Sequence, residues 1–290
     1  LKQIETLEED IASLFKGHSL DDVLTANLGS ELTNLFTKRF KEYGEEKKPY
    51  LRLSNIGWPL RKLWYYLNGT KGEELPVDAK VKFLYGDLLE SLFIFLATQA
   101  GHTVEGLQKE VEFEGIKGRT DCIIDGVLVD VKSCSTFSYN KFVDSSLYEN
   151  DPFGYVFQLK AYKEALGAQR AGWLIIDKVL GHFKFVEFKE PNLPQTFNSI
   201  VQKVKSEVVT ETEPSRCYED KLPSKKDKSG NRVLSTGCSY CQYKFHCWRD
   251  ANNGQGLLTR IYSTGPKYFT LLVKEPRLKY EEFQTKEESE

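Results

Sequence analysis

Hydrophobic periodicity divides the chain into a helix-rich beginning, a run of strands and a cysteine-bearing end. Residues 1 to 50 are charged with intermittent helical periodicity and finish in GEEKK, the pattern of a helical extension followed by a loop. From Val81 to Ala100 there is no Pro and a single Gly. There Phe83, Leu84, Leu88, Leu92, Phe95 and Leu96 predict one long, mostly buried helix. The period then changes from helical to alternating, and 107–114 and 119–133 read as strands. Asp151-Pro152 offers an N-cap and a first-turn proline for a helix running to about Leu166, with Gly167 to end it. Strands over 172–177 and 182–188 precede a helix from about Pro194 to Val209, a module holding the cysteines at 217–247, and a charged tail from Glu275. This order predicts an α/β sandwich around a central mixed sheet. Its divisions are a helical extension (1–50), a core (51–210), a four-cysteine metal module (211–250) and a C-terminal segment with the tail (251–290).

A chain of 290 residues can bury one main core and carry a small module. Hydrophobic residues at 40% and charged residues at 28% are ordinary for a soluble globular protein, which sets aside disorder and fibrous repeats. No apolar run approaches the roughly 18 residues of a membrane span, and LKQIETLEED lacks a signal peptide's apolar stretch. An intracellular, soluble chain is expected. The net charge of −2 gives no global attraction to nucleic acid, so DNA contact must rest on local patches. Lys221, Lys225, Lys226, Lys228 and Arg232 form one candidate patch, with a solvated loop as the plain alternative.

The densest chemistry lies in GRTDCIIDGVLVDVKS, where Asp125-Gly126 between two β-rich runs signals a two-residue hairpin turn. With Ile124 opposite Val127, the register pairs Ile123 with Leu128 and Cys122 with Val129, and sets Asp121 against Asp130. Opposed carboxylates repel unless something neutralises them, and a divalent cation does so. Lys132 follows Asp130 by two and shares its face, while Val127, Val129 and Val131 give the other face an apolar surface. The set is that of a metal-assisted phosphodiesterase: acids to hold Mg²⁺ or Mn²⁺, and Lys132 to orient the nucleophile or steady negative charge. An Asp-x-Lys or Glu-x-Lys triplet alone is cheap, since Asp78-Ala79-Lys80 and Glu45-Glu46-Lys47 also occur. The opposed Asp121 and two helices add weight. Glu90 shares a helix face with Gly86 and Ile94, so its carboxylate points inward, and a buried carboxylate needs a partner or a metal. Gln158 and Tyr162 stand one turn apart, placed to hold a polar group or a DNA phosphate.

Together, Gly86 and Glu90, Asp121 after GRT, Asp130-Val131-Lys132, and Gln158 with Tyr162 resemble the ordered motif set of RecB-like exonucleases of the PD-(D/E)xK nuclease superfamily, over about residues 51 to 190. The resemblance implies a restriction-endonuclease-like core and a metal-dependent DNA exonuclease acting in recombination, repair or phage DNA processing. It implies a DNA end or single strand as substrate and a recombination or replication protein as partner. It gives Glu90, Asp121 and Asp130 as metal ligands, Val131 as a ligand through its carbonyl, and Gln158 and Tyr162 as a later helix motif. RecB itself has a histidine where Glu90 stands. LSNIGWPLRKLWYYL resembles the opening segment of such nucleases without its usual cysteine. Arg61, Lys62, Trp64 and Tyr65 there are candidates for DNA contact, against a helix buried through Leu63 and Trp64.

Cys238-x2-Cys241-x5-Cys247 with Cys217 upstream has metal-site rather than disulfide spacing in an intracellular chain. The x2, x5 spacing is similar to the C-terminal cysteines of iron-sulfur nucleases, which implies a [4Fe-4S] cluster. Those nucleases carry the fourth cysteine before the core, whereas Cys217 lies after it, and Zn²⁺ held by the four thiolates is the alternative. His246 is a further possible ligand or a surface residue, and Cys122 and Cys134 read as small core residues. An endonuclease of the same fold and a catalytically silent nucleic-acid-binding module remain alternatives to the exonuclease.

Overall fold

The computed structural model describes residues 2–43, 45, 48–191, 196–263 and 265–276. Its longer elements, in chain order, are α1 (Leu7–Leu14), α2 (Asp22–Glu42), α3 (Leu60–Leu67), α4 (Val77–Gln99), β1 (Val104–Glu105), β2 (Glu110–Phe113), β3 (Ile116–Arg119), β4 (Cys122–Ile124), β5 (Val127–Cys134), α5 (Thr136–Val143), α6 (Tyr155–Leu166), β6 (Ala171–Asp177), β7 (Phe183–Glu187), α7 (Phe197–Glu207), β8 (Arg232–Val233), β9 (Leu258–Tyr262) and β10 (Gly265–Leu271). Two compact units result, one of residues 1–59 with 75–209 and one of 60–74 with 210–290. Among the described residues no helix is long and apolar enough to cross a membrane.

The first unit is mixed α/β, with a five-stranded sheet in the order β1-β4-β5-β6-β7. Only β5 and β6 run parallel. The period of two sends alternate residues of β5 to opposite faces. Val127, Val129 and Val131 pack with Leu174 and Ile176 against Phe93, Ile94, Leu96 and Ala97 of α4 and Leu7 and Ile11 of α1. Leu128 packs on the other face with Trp173, Ile175 and α6 through Val156, Leu159 and Tyr162. Helices therefore cover both faces, and β6 is buried along its whole length.

The hairpin has the expected register, Ile124 with Val127, Ile123 with Leu128 and Cys122 with Val129. Asp125 (φ 49°) and Gly126 (φ 80°) are both left-handed, as a type I′ turn requires. The strand predicted over 107–114 is shorter, and β2 with β3 forms a separate two-stranded hairpin. The long helix appears, but not as mostly buried. Its core contacts fall at Phe93, Ile94, Leu96 and Ala97, while Val81, Phe83, Tyr85 and Leu92 are exposed. An all-round apolar sequence gave no direction to the buried stripe. Asp151-Pro152 does not open α6 either, since the N-cap is Gly154. Asp151 caps from outside: its carboxylate accepts from the amides of Phe153, Gly154 and Val156. Gly167 ends the helix as expected. The predicted start at Pro194 and the tail from residue 277 onward lie outside the described residues.

The second unit joins α3 to a three-stranded sheet in the order β8-β10-β9. Leu234, Trp248, Ala251 and Leu257 form its small core, with Cys238 and Cys247 packed against it.

One contact seats α6. Gly154 is left-handed (φ 80°), and a Cβ there would lie 2.4 Å from the Gly57 carbonyl carbon and oxygen. Gly154→Ala combines left-handed strain with backbone overlap, so urea unfolding should show a loss of about 2–4 kcal/mol. A variant as stable as wild type would show that the two backbone segments need not meet so closely.

Candidate active site

The three carboxylates come from three places: Asp121 just before β4, Asp130 in the middle of β5 and Glu90 within α4. Asp130 on β5 is 2% exposed. The Lys132 ammonium lies 2.8 Å from each of its oxygens. Gln158 Nε2 on α6 donates to Asp130 Oδ1 at 3.3 Å. Asp121 is not paired with Asp130 through the ladder, because β4 starts one residue later at Cys122. Its side chain does the pairing instead: Oδ2 accepts the Val131 amide at 2.8 Å. That hydrogen bond turns the carboxylate toward β5.

Glu90 is half-buried on α4, where Gly86 leaves room for Ser133 one turn earlier. It accepts from Gln108 Nε2 at 2.7 Å. Burial and the Asp121 charge push the Glu90 carboxyl up to about 8. Burial and Asp130 push Asp121 up to about 7. Asp130 is raised too, chiefly by burial against the relief that Lys132 supplies. Burial disfavours the Lys132 charge, but Asp130 and Asp121 outweigh it and hold the lysine above its usual range. Tyr162 is buried, hydrogen-bonded to Gln158, and pushed up to about 12 by burial and then by Asp130. All six expected residues of this site, Glu90, Asp121, Asp130, Lys132, Gln158 and Tyr162, thus interact directly or through their charges.

Two neighbours were not anticipated from sequence. Tyr155, stacked on Phe142 and Phe153, presents its ring to Lys132 Nζ at 5.6 Å from the centroid. Its place three residues before Gln158 on the same helix was a usable signal. Gln108 had none, because its position depends on a left-handed backbone (φ 50°) that leaves no mark in the residue pattern.

Among the described residues no three His, Cys, Asp or Glu side chains stand at the spacing of a formed metal cage. The donor chemistry nonetheless fits a hard divalent cation. Burial raises the proton affinity of all three acids, with Asp121 and Asp130 adding to it at Glu90 and Asp130 at Asp121, and a cation with oxygen preference relieves that cost.

All six cysteines are free thiols, and Cys217, Cys238, Cys241 and Cys247 lie in the second unit. Cys217, Cys238, Cys241 and Cys247 are near enough to influence one another electrostatically. Cys217 accepts from the backbone amides of Arg61 and Lys62 at the start of α3, and its thiol is raised, mainly by burial. Burial also raises Cys241, and pushes Cys247 up to about 11. Arg216 binds the Cys247 carbonyl. His246 is turned away, with Nε2 2.9 Å from the Lys71 carbonyl. Cys122 is buried in the core as expected, whereas Cys134 is only half-buried at the end of β5.

The candidate DNA contacts fare less well. Arg61 is bound to Glu213 at 2.6 Å and to the Pro214 carbonyl. Trp64 Nε1 donates to the Thr210 carbonyl, and Leu63 and Tyr65 are the buried members of α3. Arg232, counted in the basic patch, is neutralised by Asp220 at 2.5 Å. Internal partners of these cations were not visible from composition.

No protein-family model matches the chain, and no curated protein matches it. Solved structures resemble it distantly. SSO0001 is 16% identical with a TM-score of 0.42, over 73% of this chain and 93% of that one. A phage-related exonuclease from Haemophilus somnus 129PT is 17% identical with a TM-score of 0.38, over 56% and 91%. An alkaline exonuclease from Laribacter hongkongensis is 15% identical with a TM-score of 0.34, over 55% and 83%. Likenesses this weak carry no argument, and the site rests on its own geometry.

The raised acids have a measurable consequence. An acid whose pKa rises on folding stabilises most below its unfolded value and loses that contribution as pH climbs through its folded one. With Asp121 at about 7 and Glu90 at about 8, the window runs from about pH 4 to 8. In chelator, wild type should lose stability relative to Asp121→Asn across this window, as read by denaturant unfolding at pH 5 and pH 8. Parallel pH slopes for the two proteins would contradict the arrangement.

Proposed function

We propose that the chain is a divalent-metal-dependent deoxyribonuclease that hydrolyses phosphodiester bonds, acting as an exonuclease on a DNA end or single strand. The observation that carries this reading is the buried Asp130 paired with the Lys132 ammonium at 2.8 Å, with Asp121 and Glu90 near enough for their charges to act on one another and on Lys132. Glu90, Asp121, Asp130 and the Val131 carbonyl would hold Mg²⁺ or Mn²⁺. When bound, the metal lowers the pKa of water and stabilises charge on the phosphate oxygens. Asp130 and Asp121 hold Lys132 above its usual range, so it acts as a cation that orients the attacking water and steadies negative charge rather than as a general base. Gln158 restrains the Asp130 carboxylate, and Tyr162 supports Gln158. A binding-only module gains nothing from three acids held against their own repulsion. The exonuclease assignment, and a role in recombination, repair or phage DNA processing with a protein partner, rest on the motif resemblance.

End-labelled linear DNA and closed circular DNA, each incubated with Mg²⁺ or Mn²⁺, test the assignment. Nucleotide release from the linear substrate with the circle left intact is expected. Asp121→Asn and Asp130→Asn should each lower the rate at least ~1000-fold, about 4 kcal/mol in the barrier. Lys132→Ala should be comparably inactive while retaining metal binding. Cleavage of the circle favours the endonuclease, and DNA binding without cleavage favours the silent module. Full activity in Asp130→Asn would remove the site.

The four cysteines of the second unit form, in this reading, one structural metal centre, a [4Fe-4S] cluster or Zn²⁺. Partial desolvation raises the cost of ionising Cys217, Cys241 and Cys247, which a thiophilic metal offsets by holding them as thiolates. Arg61, Lys62 and Arg216 and the α3 amides supply the positive surroundings a thiolate-rich centre needs. Metal analysis of anaerobically purified protein should find iron with sulfide and visible absorbance, or stoichiometric zinc without colour. Removal of the metal should lower the melting temperature. Protein free of both metals, with Cys238→Ser as stable as wild type, would leave the module held by packing alone.

A further inference from the structure

Each acid of the proposed nuclease site has a hydrogen-bond donor of a different kind. Asp121 accepts from a peptide amide, Val131 N–H. Asp130 accepts from Lys132 and Gln158. Glu90 accepts from the carboxamide of Gln108, which lies on an exposed turn outside every motif identified in the sequence.

That turn is tied to the site twice. Lys109 N–H donates to the Gly106 carbonyl at 3.2 Å and closes the turn, and Thr120 N–H donates to the Lys109 carbonyl at 3.0 Å. Gln108 N–H donates to the Asp121 carbonyl at 2.9 Å, while its side chain reaches Glu90. One residue thus binds the strand acid through its backbone and the helix acid through its side chain. Its backbone is left-handed, with φ 50°. This region disfavours a non-glycine residue, and glutamine lacks the local side-chain bonding that eases it for Asn and Asp. A glycine would serve a purely structural turn better.

We infer that Gln108 is a positioning residue: it aims the Glu90 carboxylate, relative to Asp121, at the divalent cation of the proposed nuclease site. The inference rests on that nuclease reading. A neutral carboxamide suits the task. It occupies one of about four lone-pair sites on the carboxylate and leaves the negative charge for the cation, whereas a lysine would neutralise it. Outer-shell donors of this kind commonly affect metal affinity 10–100-fold.

Mn²⁺ titration calorimetry of DNA-free wild type, Gln108→Ala, Gln108→Gly and Leu107→Ala tests this, together with the Mn²⁺ activation constant and kcat on linear DNA. Both Gln108 variants should bind Mn²⁺ about 10-fold more weakly, and their activation constants should rise by more than kcat falls. Gln108→Gly relieves the turn and should melt no lower than wild type, which separates lost aim from lost fold. Leu107→Ala, on the same exposed turn, should match wild type. Wild-type Mn²⁺ affinity in Gln108→Gly, with an active parent, overturns this inference alone. Absence of Mn²⁺ uptake and of cleavage in the parent overturns the nuclease reading and this inference with it.

Discussion

Burial of three neighbouring acids, Glu90, Asp121 and Asp130, is the constraint on which the site of the first unit depends. A poorly hydrated place drives carboxylates toward protonation and neighbouring charges add to it, and Glu90 and Asp121 are pushed up to about 8 and 7. Left on flexible loops they would move apart into water. They cannot, because β5 is anchored on one face by Val127, Val129 and Val131 against α4 and α1, and on the other by Leu128 beneath α6. β6, paired alongside, is buried along its whole length. Hydrophobic packing holds the acids where electrostatics alone would not.

The packing around α6 serves the same end. Close approach at Gly57 and Gly154, with Asp151 accepting three amides, fixes where the helix starts. The start in turn decides which residues face β5: Tyr155 meets Lys132, and Gln158 meets Asp130. At Gly118 a Cβ would lie 2.8 Å from the Tyr162 ring, so the absence of a side chain there lets the tyrosine lie beneath Gln158. Backbone geometry far from the acids therefore sets the donors that reach them.

Much of this was legible where local rules act alone. Asp125-Gly126 imposed a turn type, the turn imposed the register, and the period of two placed Asp130 with Lys132. Glu90 was found because its helix neighbours Gly86 and Ile94 face inward. Features that depend on tertiary context were not legible. The direction of α4's buried stripe was hidden by apolar residues on all its faces. Asp151 was read as a cap, but its place four residues before Tyr155, with Gly154 as the N-cap, was not. Arg61 and Arg232 read as cations available to DNA, but Glu213 and Asp220, their partners, are distant or unmarked in sequence. Gln108 was invisible because its reach to Glu90 follows from a backbone conformation that residue type does not announce.

The central claim is that these acids are assembled to share a divalent cation. The most direct measurement is anomalous diffraction from crystals of DNA-free protein soaked in Mn²⁺. The account predicts a manganese peak among Glu90, Asp121 and Asp130. A well-ordered soaked crystal whose manganese lies only elsewhere, with Lys132 and Asp130 still paired and no ion beside them, would contradict it.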